Sequence, residues 1–371
     1  MTSTTRLIAA LASAFLVLSA CSGDAVKDNN GQNVVNIYNW SDYIAPDTIK
    51  KFEAEFGIKV NYDMYDSSEV VDVKLLAGSS GYDIVVHSNQ YSSRLVSVGV
   101  YEKLEWSKLS NLGNLDPDVL ERIGVYDAVR EYHIPYHWGT TGYAWNVEMV
   151  RERLPDHPMD SADVLFDPEV VSKLADCGVS LLDGSTDLFP MMQAYLGLDP
   201  RALDDKTLAA AEAQLDLVRP YIRYFSNTKM MSDLPNREVC VAMSWSGDYA
   251  AAALRAEEAG LDIELRYTAP KEGSGLWVDG LYILTDAPHR ANAYKFLDFL
   301  LRPDIAADIA NAGYYANANR ASWEYIDSWI LDNPAIFPDE ETWGRLYPIK
   351  SAGPKQERVR TRAFARVKSG L

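Results

Sequence analysis

Nothing in this sequence supplies the usual catalytic devices. It has no Gly-x-Ser-x-Gly elbow, no phosphate-binding loop, and no Gly-x-Gly-x-x-Gly after a strand. Histidines number five (His87, His133, His137, His157 and His289). His133 and His137 have zinc-like spacing, but Pro135 between them forbids a shared helical face, so no metal or other cofactor is expected. Basic residues are in deficit: 35 against 53 acidic, a net charge of −18. That excludes nucleic acid as a partner, because neutralising phosphates needs basic patches. It suits solubility, and it suits a cationic ligand. No apolar run reaches the ~20 residues that a membrane-spanning helix needs. The longest, Leu7 to Leu18 after Arg6, has the length of a signal-peptide core.

Three cysteines occur. Leu18-Ser19-Ala20-Cys21 is similar to the lipobox of bacterial lipoproteins. That implies cleavage after residue 20, a lipid on Cys21, and residence in the periplasm on a membrane anchor. Residues 21–33 are almost free of apolar side chains and read as a tether. Cys177 and Cys240 then remain as an even pair in an exported chain, which suggests one disulfide without placing the sulfurs together.

Strands and helices alternate from Val34 onward. Strands are expected at Val34–Asn39, Lys59–Tyr65 and Tyr82–Val86, with helices at Ala45–Phe56, Ser68–Ala77 and Gln90–Val98. A second α/β set spans Gly178 to Glu258, with strands at Gly178–Leu182, Tyr221–Phe225 and Val239–Trp245. The Gly-interrupted stretch His133–Asn146 between the sets reads as a crossover. The strand Leu276–Leu284 precedes helices Arg290–Leu301 and Pro303–Ala312. The expected fold is therefore α/β in two lobes, each a mostly parallel sheet flanked by helices. One lobe comprises 34–140 plus 270–320, the other 141–269 plus 321–371. A chain that crosses between lobes more than once makes a hinge.

Aromatic residues recur beside hydroxyls and carboxylates: Trp40-Ser41-Asp42-Tyr43, Trp245-Ser246-Gly247-Asp248 and Trp277-Val278-Asp279. Ser88 follows one strand, Asp183 and Asp187 another, and Tyr314-Tyr315 follow the late helices. Any one cluster could be packing or a helix cap. All of them at one end of the strands describe a shared pocket. Aromatic faces attract cations at roughly 0.5–2 kcal/mol each, and carboxylates at two ends hold two ammonium groups. Aromatic walls between them cover an alkyl chain. A sugar is the rival ligand, but sugar sites mix in Arg, Lys or Asn donors, and these clusters contain no Arg or Lys. A glycosidase using paired carboxylates is a third, enzymatic alternative.

The stretch Ile37-Tyr38-Asn39-Trp40-Ser41-Asp42-Tyr43-Ile44-Ala45-Pro46 resembles the first-strand motif of the bacterial periplasmic putrescine/spermidine-binding proteins of polyamine transporters. Ser244-Trp245-Ser246-Gly247-Asp248, Tyr315-Ala316-Asn317-Ala318-Asn319, Cys177-Gly178-Val179-Ser180 and Arg358-Val359-Arg360-Thr361-Arg362 extend the resemblance over 34–370. It implies a type II binding-protein fold with the ligand between the lobes. It also implies a monomeric, non-enzymatic polyamine receptor that delivers its ligand to the permease of an ABC transporter. A polyamine sensor docking on a membrane signalling receptor is the alternative. Carried over by position, Trp40, Tyr43, Trp245, Trp277 and Tyr315 are walls. Ser41, Asp42 and Ser88 sit near one ammonium, Asp279 is the central acid, and Asp187 and Asp248 are further carboxylates. Cys177 and Cys240 match the family's disulfide. Asp187 departs from the longer glutamate of the putrescine binders. Trp277 resembles the spermidine binders and Asp248 the putrescine binders, whereas Gln90 matches neither, so the preferred polyamine stays open.

Overall fold

The computed structural model describes residues 33–41, 43–123, 130–349 and 352–370. Strands within it are Val34–Trp40 (β1), Lys59–Tyr65 (β2), Ile84–Ser88 (β3), His133–Asn146 (β4), Val179–Leu181 (β5), Ile222–Phe225 (β6), Val241–Trp245 (β7), Leu265–Thr268 (β8), Ser274–Ile283 (β9) and Leu346–Pro348 (β10). β1 pairs in parallel with β2 and β3. β5 pairs in parallel with β6 and β7. These are the two parallel half-sheets expected from the alternating pattern. β3 is buried throughout, as a central strand covered on both faces must be.

The half-sheets are joined by β4 and β9, which pair with each other antiparallel. The first part of β4 lies along β9 and its last part along β7, from Thr141↔Trp245 to Trp145↔Val241. β9 in turn pairs antiparallel with β3, from Ile84↔Ile283 to Ser88↔Asp279. The strand order β2-β1-β3-β9-β4-β7-β5-β6 therefore makes one continuous sheet rather than two separate ones. His133–Asn146 is the expected crossover, and β9 is a second.

Helix signals in the sequence act locally as expected. Gly57 closes the helix Thr48–Phe56 in the left-handed region at φ 63°, where a side chain would be strained. Phe52 of that helix packs on Phe296 and Phe299 of Arg290–Leu300. One core cluster gathers residues around β1, β3 and β9, and another surrounds β5 and β7. Ile326, Ile330, Ile336 and Ile349 belong to the first cluster, whereas Ala363, Phe364 and Val367 belong to the second. Packing thus places 326–349 with the first lobe rather than with 141–269 as expected. Only the C-terminal helix Pro354–Ser369 returns to the second. The reason is β10, which adds alongside β9 and holds the preceding segment there.

Cys177 and Cys240 form a disulfide across 63 residues, with Cα atoms 5.5 Å apart. It ties the segment before β5 to the one before β7. Closing a loop of that length restricts the unfolded chain by about 4 kcal/mol. A Cys177→Ala/Cys240→Ala variant is expected to lose up to about that much stability in urea unfolding. A loss near zero would mean that the unfolded chain is already constrained there.

Candidate ligand-binding site

Segments far apart in the sequence deliver side chains to one cleft between the lobes. β1 ends at Trp40 and Ser41. The helix Ser246–Glu258 begins directly at the end of β7, so Trp245 precedes it and Asp248 occupies its first turn. Asp187 lies in the first turn of Ser185–Tyr195. Tyr315 follows the helix Pro303–Gly313, whose C-cap Tyr314 adopts φ 61° and turns the chain back. Carboxylates at helix N-termini sit at the positive end of the helix dipole. Trp277 and Asp279 correct one expectation: they lie inside β9, not at a strand end. β9 runs antiparallel to β3, so Asp279 stands opposite Ser88 at the tip of that strand, and β4 links the start of β9 to the tip of β7 through Thr141. Being two residues apart, Trp277 and Asp279 point to the same face.

The cleft has a volume of about 400 Å³. Of the residues expected there, Trp40, Ser41, Tyr43, Ser88, Asp187, Trp245, Asp248, Trp277, Asp279 and Tyr315 all line it. Asp42 and Cys21 lie outside the described residues. Tyr315 meets Tyr43 and Trp277 edge-on, with ring centroids 5.6 and 5.2 Å apart. Close packing at the cleft needs glycine: a Cβ on Gly247 would lie 2.3 Å from the Tyr315 ring, and one on Gly139, the partner of Trp277 across the β4–β9 ladder, 2.5 Å from the Trp277 side chain.

Each acid is held by neutral donors. Tyr43 donates to Asp279 Oδ2 at 2.8 Å, and Ser88 donates to Asp279 Oδ1. Tyr315 donates to Asp248 Oδ1 at 2.7 Å. Thr141 and the Trp245 indole donate to Asp187 Oδ1 at 3.0 and 3.1 Å. Among the described residues no lysine or arginine forms an ion pair with Asp248 or Asp279. Burial pushes Asp279 up to about 6, opposed by the hydrogen bonds from Ser88 and Tyr43 and reinforced by the charge of Asp187. Burial likewise pushes Asp248 up to about 6, against the Tyr315 hydrogen bond and the Arg255 charge. Burial also holds the Tyr43 and Tyr315 hydroxyls far above their ordinary range, so both stay protonated donors. Near neutral pH the site therefore holds ionised acids, of which Asp248 and Asp279 form no ion pair with a lysine or arginine among the described residues.

Several lining residues were not picked out as ligand-binding from the sequence. Tyr65 stacks obliquely on Trp40, with centroids 4.4 Å apart. Asp66 accepts from Ser41 at 2.7 Å; its position just past β2 was the available clue. Gln90 has a buried Oε1 without a hydrogen-bond partner, an acceptor facing the cleft region. Tyr91 of the first lobe donates to Thr186 of the second at 3.0 Å, and Arg360 donates to the same hydroxyl. Asn227, Thr228 and Met231 complete the second-lobe rim. His133 approaches Asn89, while His137 packs against Tyr43 and Tyr136.

Comparison with known proteins accounts for this arrangement. The model of the family described as bacterial extracellular solute-binding protein matches residues 47–338. The chain is 44% identical over 338 residues to the putrescine-binding periplasmic protein SpuD of Pseudomonas aeruginosa, covering 91% of this chain and 92% of that one. It is 43% identical over 342 residues to the putrescine-binding periplasmic protein PotF of Escherichia coli, at 91% and 92% coverage. Among solved structures, the spermidine/putrescine ABC transporter substrate-binding protein PotD of Streptococcus pneumoniae superposes with a TM-score of 0.76. It is 26% identical and is matched over 91% of this chain and 99% of its own. On sequence and on fold alike, the chain belongs to the bacterial extracellular solute-binding proteins.

Proposed function

We infer that this protein is a periplasmic polyamine receptor that clamps a putrescine-like diamine, or a longer polyamine, between its lobes and presents it to an ABC permease. The observation that carries this reading is the pair of acids, Asp279 buried and Asp248 half-buried, held by hydroxyls and, among the described residues, in no ion pair with a lysine or arginine. Buried ionised carboxylates are costly alone and favourable once an ammonium arrives. Trp40, Tyr43, Trp245, Trp277 and Tyr315 cover the alkyl chain and add cation–π attraction. Binding acids lie on both lobes, so the ligand favours the closed form, and that difference in affinity is what drives closure. The names of its relatives supply the polyamine class and the transporter. The role asks for capture and release, not turnover, and we read the carboxylates as binding groups.

Calorimetry tests the reading: 1,4-diaminobutane and spermidine should bind, and 1,4-butanediol, of the same length but uncharged, should not. Equal binding of the diol would overturn it. Gly247→Ala is expected to displace Tyr315 from Asp248 and weaken diamine binding roughly ten- to hundredfold, the cost of one charge-assisted hydrogen bond and its packing. Unchanged affinity would remove Tyr315 from the wall. We further propose that the mature chain carries a lipid on Cys21, on the strength of Leu18-Ser19-Ala20-Cys21. Mass spectrometry of the mature protein should show the lipid, and a free N-terminus further along would refute it.

A further inference from the structure

We propose that Lys368 limits how many positive charges the cleft accepts, favouring a dication over a trication; this rests on the polyamine reading above. Space is not the limit. At one water volume per non-hydrogen atom, a six-atom diamine needs roughly 180 Å³ and a ten-atom triamine roughly 300 Å³, and the cleft offers about 400 Å³. Counter-charge at the second-lobe end is the limit. Asp187 there is already held by Thr141 and the Trp245 indole, whereas Asp279, and Asp248 apart from the Arg255 charge, meet no lysine or arginine in an ion pair among the described residues. Asp183, a further carboxylate lining the second-lobe side just past β5, does: Lys368 Nζ lies 2.6 Å from its Oδ1.

This lysine is positioned, not drifting. It stands in the last turn of Pro354–Ser369, a helix anchored in the second core by Ala363, Phe364 and Val367. Arg219 donates to the backbone carbonyls of Val367 and Lys368 at 3.1 and 3.0 Å, fixing that turn. Its ammonium also lies 5.4 Å from the Phe364 ring centre. A third ammonium entering beside Asp183 meets a carboxylate already neutralised and a like charge next to it. Both side chains keep 38% of their surface exposed, so solvent screens the pair. The discrimination is therefore tens-fold at most, in the manner of a repulsive element set against one competitor.

Calorimetry on the whole mature protein with 1,4-diaminobutane and spermidine decides it. Lys368→Gln should tighten spermidine roughly tenfold relative to the diamine, with diamine affinity within about threefold of the parent. Asp183→Asn, which leaves Lys368 as an uncompensated cation at the rim, should weaken spermidine more than the diamine. In the Asp183→Asn/Lys368→Gln pair the gain should disappear, because the vacated acid is its source. An unchanged affinity ratio in Lys368→Gln, a parallel shift of both ligands, or a gain that survives in the double variant overturns the proposal. Failure of the parent protein to bind any diamine would instead overturn the polyamine reading, and matching thermal transitions identify properly folded variants.

Discussion

Replacing Asp279 with Asn is expected to abolish diamine binding and, at neutral pH, to raise the melting temperature of the ligand-free protein. The two effects share one cause. Burial lifts Asp279 to about 6, roughly two pH units above an ordinary aspartate, so the ionised form in the fold carries a penalty of order 1–3 kcal/mol. A group whose folded value is raised is not penalised at pH below its unfolded value near 4. Its cost grows as pH rises through about 6 and is complete above that. Asn keeps the shape and removes the charge. The gain of a few degrees should therefore appear near pH 7.5 and fade near pH 4, while ligand-induced stabilisation is lost at every pH. Scanning calorimetry with and without 1,4-diaminobutane reads both. Unchanged affinity would remove Asp279 from the site. A lower melting temperature would mean that the Ser88 and Tyr43 hydrogen bonds outweigh the cost of burying the charge.

Diamine affinity should also fall by roughly a hundredfold between pH 7.5 and pH 5.0, about tenfold for each of two carboxylates near 6. Ligand ammonium groups titrate near 10, like lysine, and stay charged throughout, so the loss belongs to the protein. Titration calorimetry across this range should give a dissociation constant rising with a slope approaching two protons per ligand below about pH 6. In Asp248→Asn the slope should drop to one. A flat profile down to pH 5 would show that neither acid meets the ligand.

Much of this architecture was legible because its signals are local. Tyr82–Val86 is apolar enough to mark a buried strand, and Lys59–Tyr65 has the bounds that the sequence suggests. Trp40, Trp245 and Tyr315 were recognisable from short motifs in which an aromatic adjoins a polar group. What was not legible depends on where distant segments meet. Trp277 and Asp279 were found for the right residue types but given the wrong setting, since nothing in nine residues tells a strand that ends at a site from one that passes it. β8 and the short helices at 147–151, 163–166 and 168–174 are too brief for a periodic pattern to emerge. Pro354–Ser369 carries a nearly continuous polar surface broken only by a narrow apolar stripe. Segment 326–349 is held beside β9 by β10 at its end, a three-residue pairing that sequence alone could not anticipate. Gln90 and Tyr91 line the cleft, and Lys368 reaches Asp183 at its edge, only because packing of distant segments brings these elements together.

The two long antiparallel strands join the halves of the molecule as a hydrogen-bonded ribbon. β4 and β9 pair with each other from His133↔Tyr282 to Thr141↔Gly275 while each also belongs to a half-sheet. Any swing of one half against the other must be absorbed as added coiling of that ribbon, spread over many residues with its ladder intact, and at the shift in register between Pro135 and His137. A ribbon paired along both strands resists sideways shear between the two half-sheets whose ends carry Asp248 and Asp279.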